Sequence, residues 1–302
     1  MTRSWLRGVP GAADWRKVRP ASPVGPHDET YEILTHSGRH LLLCAADAGR
    51  AEEQYAAFNR LERFQALGFP MPRPVDFGLT GGHVYQLLTW VEGERLTAAL
   101  PGLPDAMQYR LGQDAGRALA AIHSVPLEPG ERAAASREVS RQLSMLNRYR
   151  FCGARMAGDE AVLRFVSRRV TPPRRLACLH GGFHAGSMVI TPEGKLGLVD
   201  LGRSLAGDRW QDFESAQAVS VLHSLPFVNG QLDGYFGGEP PAEFWEAFAY
   251  HTACGALARI EWAARRAPGE VRRMQLRYAQ AVRDFRGFTP CEPPRWYRLE
   301  ME

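Results

Sequence analysis

The sequence predicts an α+β chain of two lobes, a small β-rich lobe over residues 1–91 and a larger helical lobe over 92–302. Three observations carry this. Short alternating apolar runs crowd between Tyr31 and Val91, helical apolar spacing dominates from Asp105 onward, and one β-rich interruption, Leu176 to Asp200, breaks the helical part. A length of 302 residues suits two packed units at a soft prior of roughly 150 residues per domain.

The elements follow in chain order. After a proline-rich opening, Tyr31, Ile33 and His40-Leu-Leu-Leu-Cys44 alternate around a Ser37-Gly38 turn and predict a β-hairpin. From Arg50 to Leu67, Tyr55, Phe58, Leu61, Phe64 and Leu67 form a helical stripe that Gly68 and Pro70 stop. Two strands, Val75 to Phe77 and Val84 to Val91, complete a small sheet with one helix. Asp105 is expected to cap a helix carrying Met107, Leu111, Ala115, Leu119 and Ile122, with Pro126 beyond its end. Further helices are expected over Arg132 to Tyr149, Asp159 to Val170, Trp210 to Leu225, Ala242 to Arg265 and Glu270 to Phe285. Between them, Leu176 to Leu179 runs into His180-Gly-Gly, and two strands, Ser187 to Thr191 and Lys195 to Asp200, flank a Pro192-Glu-Gly194 turn.

Composition narrows the function classes. With 45% hydrophobic and 23% charged residues the chain reads as globular, and a net charge of +4 is too weak to imply a polyanion, so no nucleic-acid partner is expected. Lys17 and Lys195 are the only lysines among 37 basic residues, an arginine bias that fits a GC-rich bacterial genome. The doublets Arg168-Arg169, Arg174-Arg175, Arg265-Arg266 and Arg272-Arg273 read as solvated faces rather than phosphate contacts. No segment approaches the roughly 20 apolar residues of a membrane helix and the opening lacks a secretion signal, so a cytoplasmic protein with no membrane partner is expected. Cys44, Cys152, Cys178, Cys254 and Cys291 are far apart, without metal-ligand spacing, and read as free thiols.

The segment His180-Gly-Gly-Phe-His-Ala-Gly-Ser-Met-Val-Ile190, followed by Leu198-Val-Asp-Leu-Gly202 and Gly207-Asp-Arg-Trp-Gln-Asp212, resembles the catalytic core of the aminoglycoside phosphotransferase family, a branch of the protein-kinase-like fold. The family pattern is HGDxHxGN, a β-hairpin, a D-[FLI]-G-like step and a GD pair, in this order and spacing. Phe69 to Pro74 resembles the connection within the family's first lobe, Leu88-Thr-Trp-Val-Glu-Gly93 its hinge, and Gly112 to His123 its first large helix. The resemblance spans residues from about 30 to 285. It implies a bilobal protein-kinase-like fold with His180 to Ser187 as a loop facing the interlobe cleft, and phosphoryl transfer, which rests mainly on positioning and charge stabilisation.

Position by position, the family's groups are largely missing. The catalytic-loop Asp falls at Gly182, which has no side chain, and the metal-binding Asn falls at Ser187, a weaker ligand for a hard cation. The third-strand cation falls at Leu43 or Cys44, depending on register. Its partner glutamate would fall near Ala57 to Asn59, where there is none, although Glu53 or Glu62 could compete for the role. The phosphate-covering loop, near Ser22 to Asp28, holds one glycine between two prolines. Lys195 sits in a hairpin turn and Lys17 before the first strand. Asp200 is retained.

The resemblance with these departures implies a degenerate, pseudokinase-like member of the family. The candidate catalytic residues are His184, whose ordinary pKa suits proton transfer, Asp200 and Asp208. Asp200 is also the candidate metal ligand or a partner of Arg203, and Asp208 is expected to cap the helix beginning near Trp210. His180 reads as a structural residue beneath the loop. Thr89, Trp90 and Val91 are the hinge contacts if a nucleotide binds. Glu239, Glu243 and Glu261 are possible acidic pocket lining, and Phe244, Trp245, Phe248 and Tyr250 read as core. The expected function is binding of a small molecule or partner protein, without normal kinase activity and without a cofactor, in bacterial specialised metabolism or resistance. One alternative is an ATP- and magnesium-dependent O-phosphotransferase with a displaced base. Another is a kinase-fold enzyme turned to different chemistry on a biosynthetic intermediate.

Overall fold

The computed structural model describes residues 3–21, 29–201, 205–288 and 292–298. The phosphate-covering loop expected at 22–28, Arg203 and Cys291 lie outside the described residues. Two compact units form. The first falls within Met1–Ala98, His180–Gly182 and Ser187–Leu205, and the second within Ala99–Leu179, Phe183–Gly186 and Ala206–Glu302.

In the first unit, β1 (Trp15–Pro20), β2 (Glu29–Thr35), β3 (His40–Asp47), β4 (Pro74–Thr80) and β5 (His83–Thr89) make one antiparallel sheet in the order β1-β2-β3-β5-β4. The strand alternation sorts side chains onto two faces. On one face Ile33, Leu41, Leu43, Ala45, Tyr85 and Leu87 bury against Trp5, Leu6 and Val9 of the opening segment. Each of the buried Leu and Ile side chains contributes about 1.5–3 kcal/mol. The proline-rich opening is therefore part of the core, which its lack of periodicity concealed. Lys17, expected before the first strand, sits exposed within β1, because Val18 and its neighbours pair with β2.

Helix α1 (Ala51–Phe64) covers the other face through Phe58, Leu61 and Phe64, with Tyr55 and Phe58 against the Phe77 ring. Glu52 and Glu53 in its first turn suit the positive end of the helix dipole, and Gly68, at φ +76°, ends the helical run. Beyond the sheet, β6 (Glu94–Arg95), α2 (Leu96–Ala99), β8 (Met188–Ile190) and β9 (Leu196–Leu198) follow, with β6-β8-β9 as a second sheet. Leu198 N–H donates to Pro70 O at 2.8 Å, which ties this hairpin to the first unit although it is distant in sequence. Gly93 approaches the hairpin so closely that a Cβ would lie 2.4 Å from Ile190 O.

The second unit contains α3 (Asp105–Ser124), α4 (Pro129–Ala135), α5 (Glu138–Arg150), α6 (Glu160–Ser167), β7 (Leu176–Leu179), β10 (Leu205–Asp208), α7 (Glu214–Ala218), α8 (Leu225–Phe236), α9 (Ala242–Arg266) and α10 (Val271–Asp284). Strand β7 pairs with β10. Helix α9 is buried along most of its length, and Phe244, Trp245, Phe248 and Tyr250 are core, as their sequence predicts. Phe213, Phe236 and Phe244 meet ring to ring around it.

Several expected elements are corrected. The helix expected over Trp210 to Leu225 is a 3-10 turn at Arg209–Phe213, the short α7 and another 3-10 turn at Ser220–Leu222. It does not continue as one helix: Ser220 Oγ accepts from Ala185 N–H of the distant loop, and Ser224 Oγ bonds locally to Phe227 N–H, which starts a new helix. Helix α8, which follows, was not expected. The span Arg132 to Tyr149 is two helices. Asp105 is not a cap; Pro104 holds that position with extended dihedrals, and the Asp105 carboxylate accepts from Gln108 Nε2 at 3.4 Å. Among the described residues, Cys44, Cys152, Cys178 and Cys254 are free thiols, and no helix is long and apolar enough to cross a membrane.

Candidate functional site

The stretch joining β7 to β8 contributes to both units. In the first, His180 is fully buried and Gly181 takes φ +81°, a conformation open to glycine. The loop then closes on itself, with Ser187 Oγ donating to Gly182 O at 2.8 Å and Ser187 O accepting from Val199 N–H at 2.8 Å. The hydroxyl expected to serve as a metal ligand thus gives its proton to the backbone of the residue expected to carry the base. Asp200 belongs to the same unit. It has φ +61°, uncommon for a residue with a side chain, and its Oδ2 lies 3.4 Å from Arg95 Nη1. Both side chains are partly exposed, so the pair is worth about 0–1 kcal/mol, but it sets a fixed cation beside the one retained family carboxylate.

These donors do not fit a magnesium ion. Hard cations take several oxygens, preferably carboxylates, and here one carboxylate faces a guanidinium while the nearest family position offers a neutral hydroxyl directed at its own loop. Among the described residues no group of three or more His, Cys, Asp or Glu side chains is placed to hold a metal.

The open register at Leu43 or Cys44 resolves through the sheet. Leu43 is fully buried on the face packed against Trp5 and Leu6. Cys44 is the direct cross-strand partner of Gln86, so the two share a face. There, the Gln86 side-chain amide donates to Gln54 Oε1 at 2.7 Å and to Gln54 O at 3.0 Å, which joins β5 to α1. A thiol therefore stands at the third-strand position, and the side-chain link to α1 on this face is a neutral amide pair from the neighbouring strand β5. Glu53 is exposed and paired with Arg50, and Glu62 is exposed. Neither Lys17 nor Lys195 is buried.

At the expected hinge, Thr89 N–H donates to Arg73 O at 2.9 Å and Trp90 N–H donates to His40 O at 3.0 Å. The Trp90 ring stacks on His40 at 4.8 Å, and His40 stands between Glu32 and Glu92. Val91 lies against Gly197, leaving no room for a side chain there.

His184 and Asp208 lie in the second unit. His184 Nδ1 accepts from Gly186 N–H at 3.0 Å, which places the ring proton of the neutral form on Nε2 and occupies the nitrogen a base would use. Asp208 Oδ1 accepts from Trp210 N–H at 3.1 Å, so it caps the 3-10 turn, and lies 3.7 Å from His251 Nε2. Burial opposes its charge, but His251, the Trp210 N–H and Arg175 hold its carboxyl below the usual carboxylate range. Glu243 lines a cavity with Asp208, whereas Glu261 is buried between Arg148 and Arg265 and Glu239 is exposed.

Sequence reasoning missed Arg95, Gln54 and Gln86. Arg95 and Asp200 are 105 residues apart and become neighbours through the β6-β8 pairing. For the glutamines a usable signal existed: two amides on apolar faces, each needing a buried partner.

The sequence model of the phosphotransferase enzyme family matches residues 21–245 of the chain. Among solved structures, the chain is similar to an aminoglycoside 2′-phosphotransferase-IIIa mutant in complex with GDP, at 13% identity and a TM-score of 0.65, covering 94% of this chain and 97% of that one. It is similar to the amicoumacin kinase hAmiN, in complex with AMP-PNP, Ca2+ and Ami, at 14% identity and 0.59, covering 94% and 92%. An aminoglycoside phosphotransferase from Streptomyces rimosus ATCC10970 is similar at 16% identity and 0.56, covering 84% and 96%. No curated protein matches the chain.

Proposed function

The chain belongs to the phosphotransferase enzyme family, with the kinase-like fold of its aminoglycoside phosphotransferases, and we propose that it is a pseudokinase-like member that binds a small molecule without transferring phosphate. The observation that carries this reading is the self-closure of the catalytic positions: no side chain at Gly182, Ser187 bonded to Gly182 O, and Asp200 facing Arg95. Losing a general base costs on the order of 10² to 10⁴ in rate. Losing a metal ligand and the phosphate cation compounds that loss without adding simply to it. The neutral Cys44 and the Gln54–Gln86 link support the same reading, because the strand position that would hold a polyphosphate carries no charge.

Neighbours of this fold act on antibiotics, aminoglycosides and amicoumacin among them. We place this chain's ligand in bacterial specialised metabolism or resistance, inside the cell. Titration calorimetry with ATP and magnesium is the test. The expected result is a dissociation constant weaker than about 1 mM, which corresponds to roughly 4 kcal/mol of binding free energy. A constant in the low micromolar range would overturn the reading and favour a surviving phosphotransferase.

A further inference from the structure

Two arginine doublets that read as solvated faces in the sequence line one cavity of about 290 Å³ in the second unit. Arg168 and Arg169 follow α6, Arg174 and Arg175 precede β7, and Val170-Thr171-Pro172-Pro173 joins the pairs, its two prolines restricting the backbone. The same cavity is lined by Asp208 at the end of β10 and by Tyr250 and His251 of α9. Burial divides these groups. Asp208, His251 and Tyr250 are buried, whereas Arg168, Arg174 and Glu243 are exposed, so Asp208 is the inner carboxylate and the two guanidinium groups and Glu243 form the outer part.

The charges are not all cancelled within the wall. Arg169 pairs with Glu246 and lies over the Phe165 ring, and Arg175 lies over Trp210 with its guanidinium carbon 3.7 Å from the ring centroid. Glu138 pairs with Arg141. Arg168 and Arg174 make no ion pair among the described residues, and neither does Glu243, also exposed at the cavity. An inorganic anion alone would meet Asp208 and Glu243 as well as the arginines. A ligand with opposite ends satisfies both sets. Guanidinium forks bind phosphate or carboxylate oxygens with charge-assisted hydrogen bonds, and an ammonium or hydroxyl donor suits a buried carboxylate flanked by the Gln142-bonded Tyr250 hydroxyl. The volume is near the lower end of small-ligand pockets, about 300–1,000 Å³.

We propose that this cavity binds a small dipolar metabolite, with a phosphate or carboxylate held by Arg168 and Arg174 and an ammonium or hydroxyl donor directed to Asp208 and Glu243. The site is independent of the reading of the catalytic loop, since its test reads binding and no phosphate transfer. Calorimetry on the full chain compares O-phosphoserine, a probe carrying both ends, with phosphate and serine as its separate halves. O-phosphoserine is expected to bind at least tenfold more tightly than either half. The Arg168→Ala/Arg174→Ala variant is expected to weaken it by roughly tenfold or more, the loss of charge-assisted contacts, with an unchanged thermal midpoint because both side chains are exposed. Glu243→Gln should weaken O-phosphoserine while leaving phosphate no weaker, since one repelling carboxylate is gone. No heat with O-phosphoserine, phosphate binding as tightly as O-phosphoserine, or full affinity in the folded double-arginine variant would each overturn the proposal.

Discussion

Asp208 carries a prediction that belongs to a single side chain. Its folded pKa is depressed because His251, the Trp210 N–H and Arg175 together outweigh the burial that opposes its charge. A carboxylate depressed on folding binds fewer protons folded than unfolded, so its contribution is fully present above the ordinary carboxylate pKa, about 4, and is lost as pH falls through the folded value. The Asp208→Asn variant keeps a capping oxygen for Trp210 N–H, since Asn caps about as well as Asp, but loses the charge beside His251. Near neutral pH it should be less stable by about 1–2 kcal/mol, and thermal midpoints of the two proteins should converge in acid. A gap undiminished at about pH 3, below the ordinary carboxylate pKa, would mean that the charge contributes nothing. The capping role was legible from an Asp two residues ahead of Trp210. The partnership with His251 was not, because nothing local encodes a contact spanning β10 and α9. The same limit hid Arg95 from the reading of Asp200.

Helix α8 was illegible for a related reason. Its boundaries were written in the chain: Ser224 caps Phe227 N–H, Pro226 stands in the first turn, and Gly237 at φ +71° ends it. Its interior, Leu225-Pro-Phe-Val-Asn-Gly-Gln-Leu-Asp-Gly-Tyr-Phe236, lacks a clear amphipathic stripe because two glycines occupy the packed face. They meet two more on α3. A Cβ on Gly112 would lie 2.1 Å from Phe227 O, one on Gly116 2.2 Å from Gln231 O, and one on Gly230 2.1 Å from Tyr109 O. Helix α3 was legible through its apolar residues, whereas Gly112 and Gly116 gained meaning only beside α8. Gly112→Ala therefore sets two effects against each other: about 1 kcal/mol of helix propensity gained and an overpacking cost of about 1–3 kcal/mol or more. The obstructing atom is a backbone oxygen that cannot rotate away, so overpacking wins and the thermal midpoint should fall. Gly130→Ala in α4, where a Cβ meets nothing within 4 Å, should leave the midpoint level or raise it slightly. Equal midpoints for the two variants would refute the close-packing account.

At the scale of the whole chain, the sequence disclosed the β-rich beginning, the helical remainder and the family, because each rests on periodicity or on contiguous motifs such as His180 to Ser187. What replaces the missing groups was not contiguous. Cys44, Gln54, Gln86, Gly182, Ser187 and Asp200 come from five separate segments and all belong to the first unit. Their combined state predicts the outcome of repairing one of them. Gly182→Asp returns the carboxylate that the family uses as a base, yet a base accelerates transfer only when the phosphoryl group is already held in line. In this chain Cys44 supplies no cation to hold it, Ser187 is turned to the loop backbone and Asp200 faces Arg95. Incubating the variant and the parent with labelled ATP, magnesium and a panel of hydroxylated antibiotics should therefore give no labelled product from either. Transfer by the variant alone would mean that Gly182 was the sole lesion and that the neutral strand position is no obstacle. Transfer by both would place the base elsewhere, and His184→Ala would then test whether the imidazole gives up its Gly186 N–H to act as one.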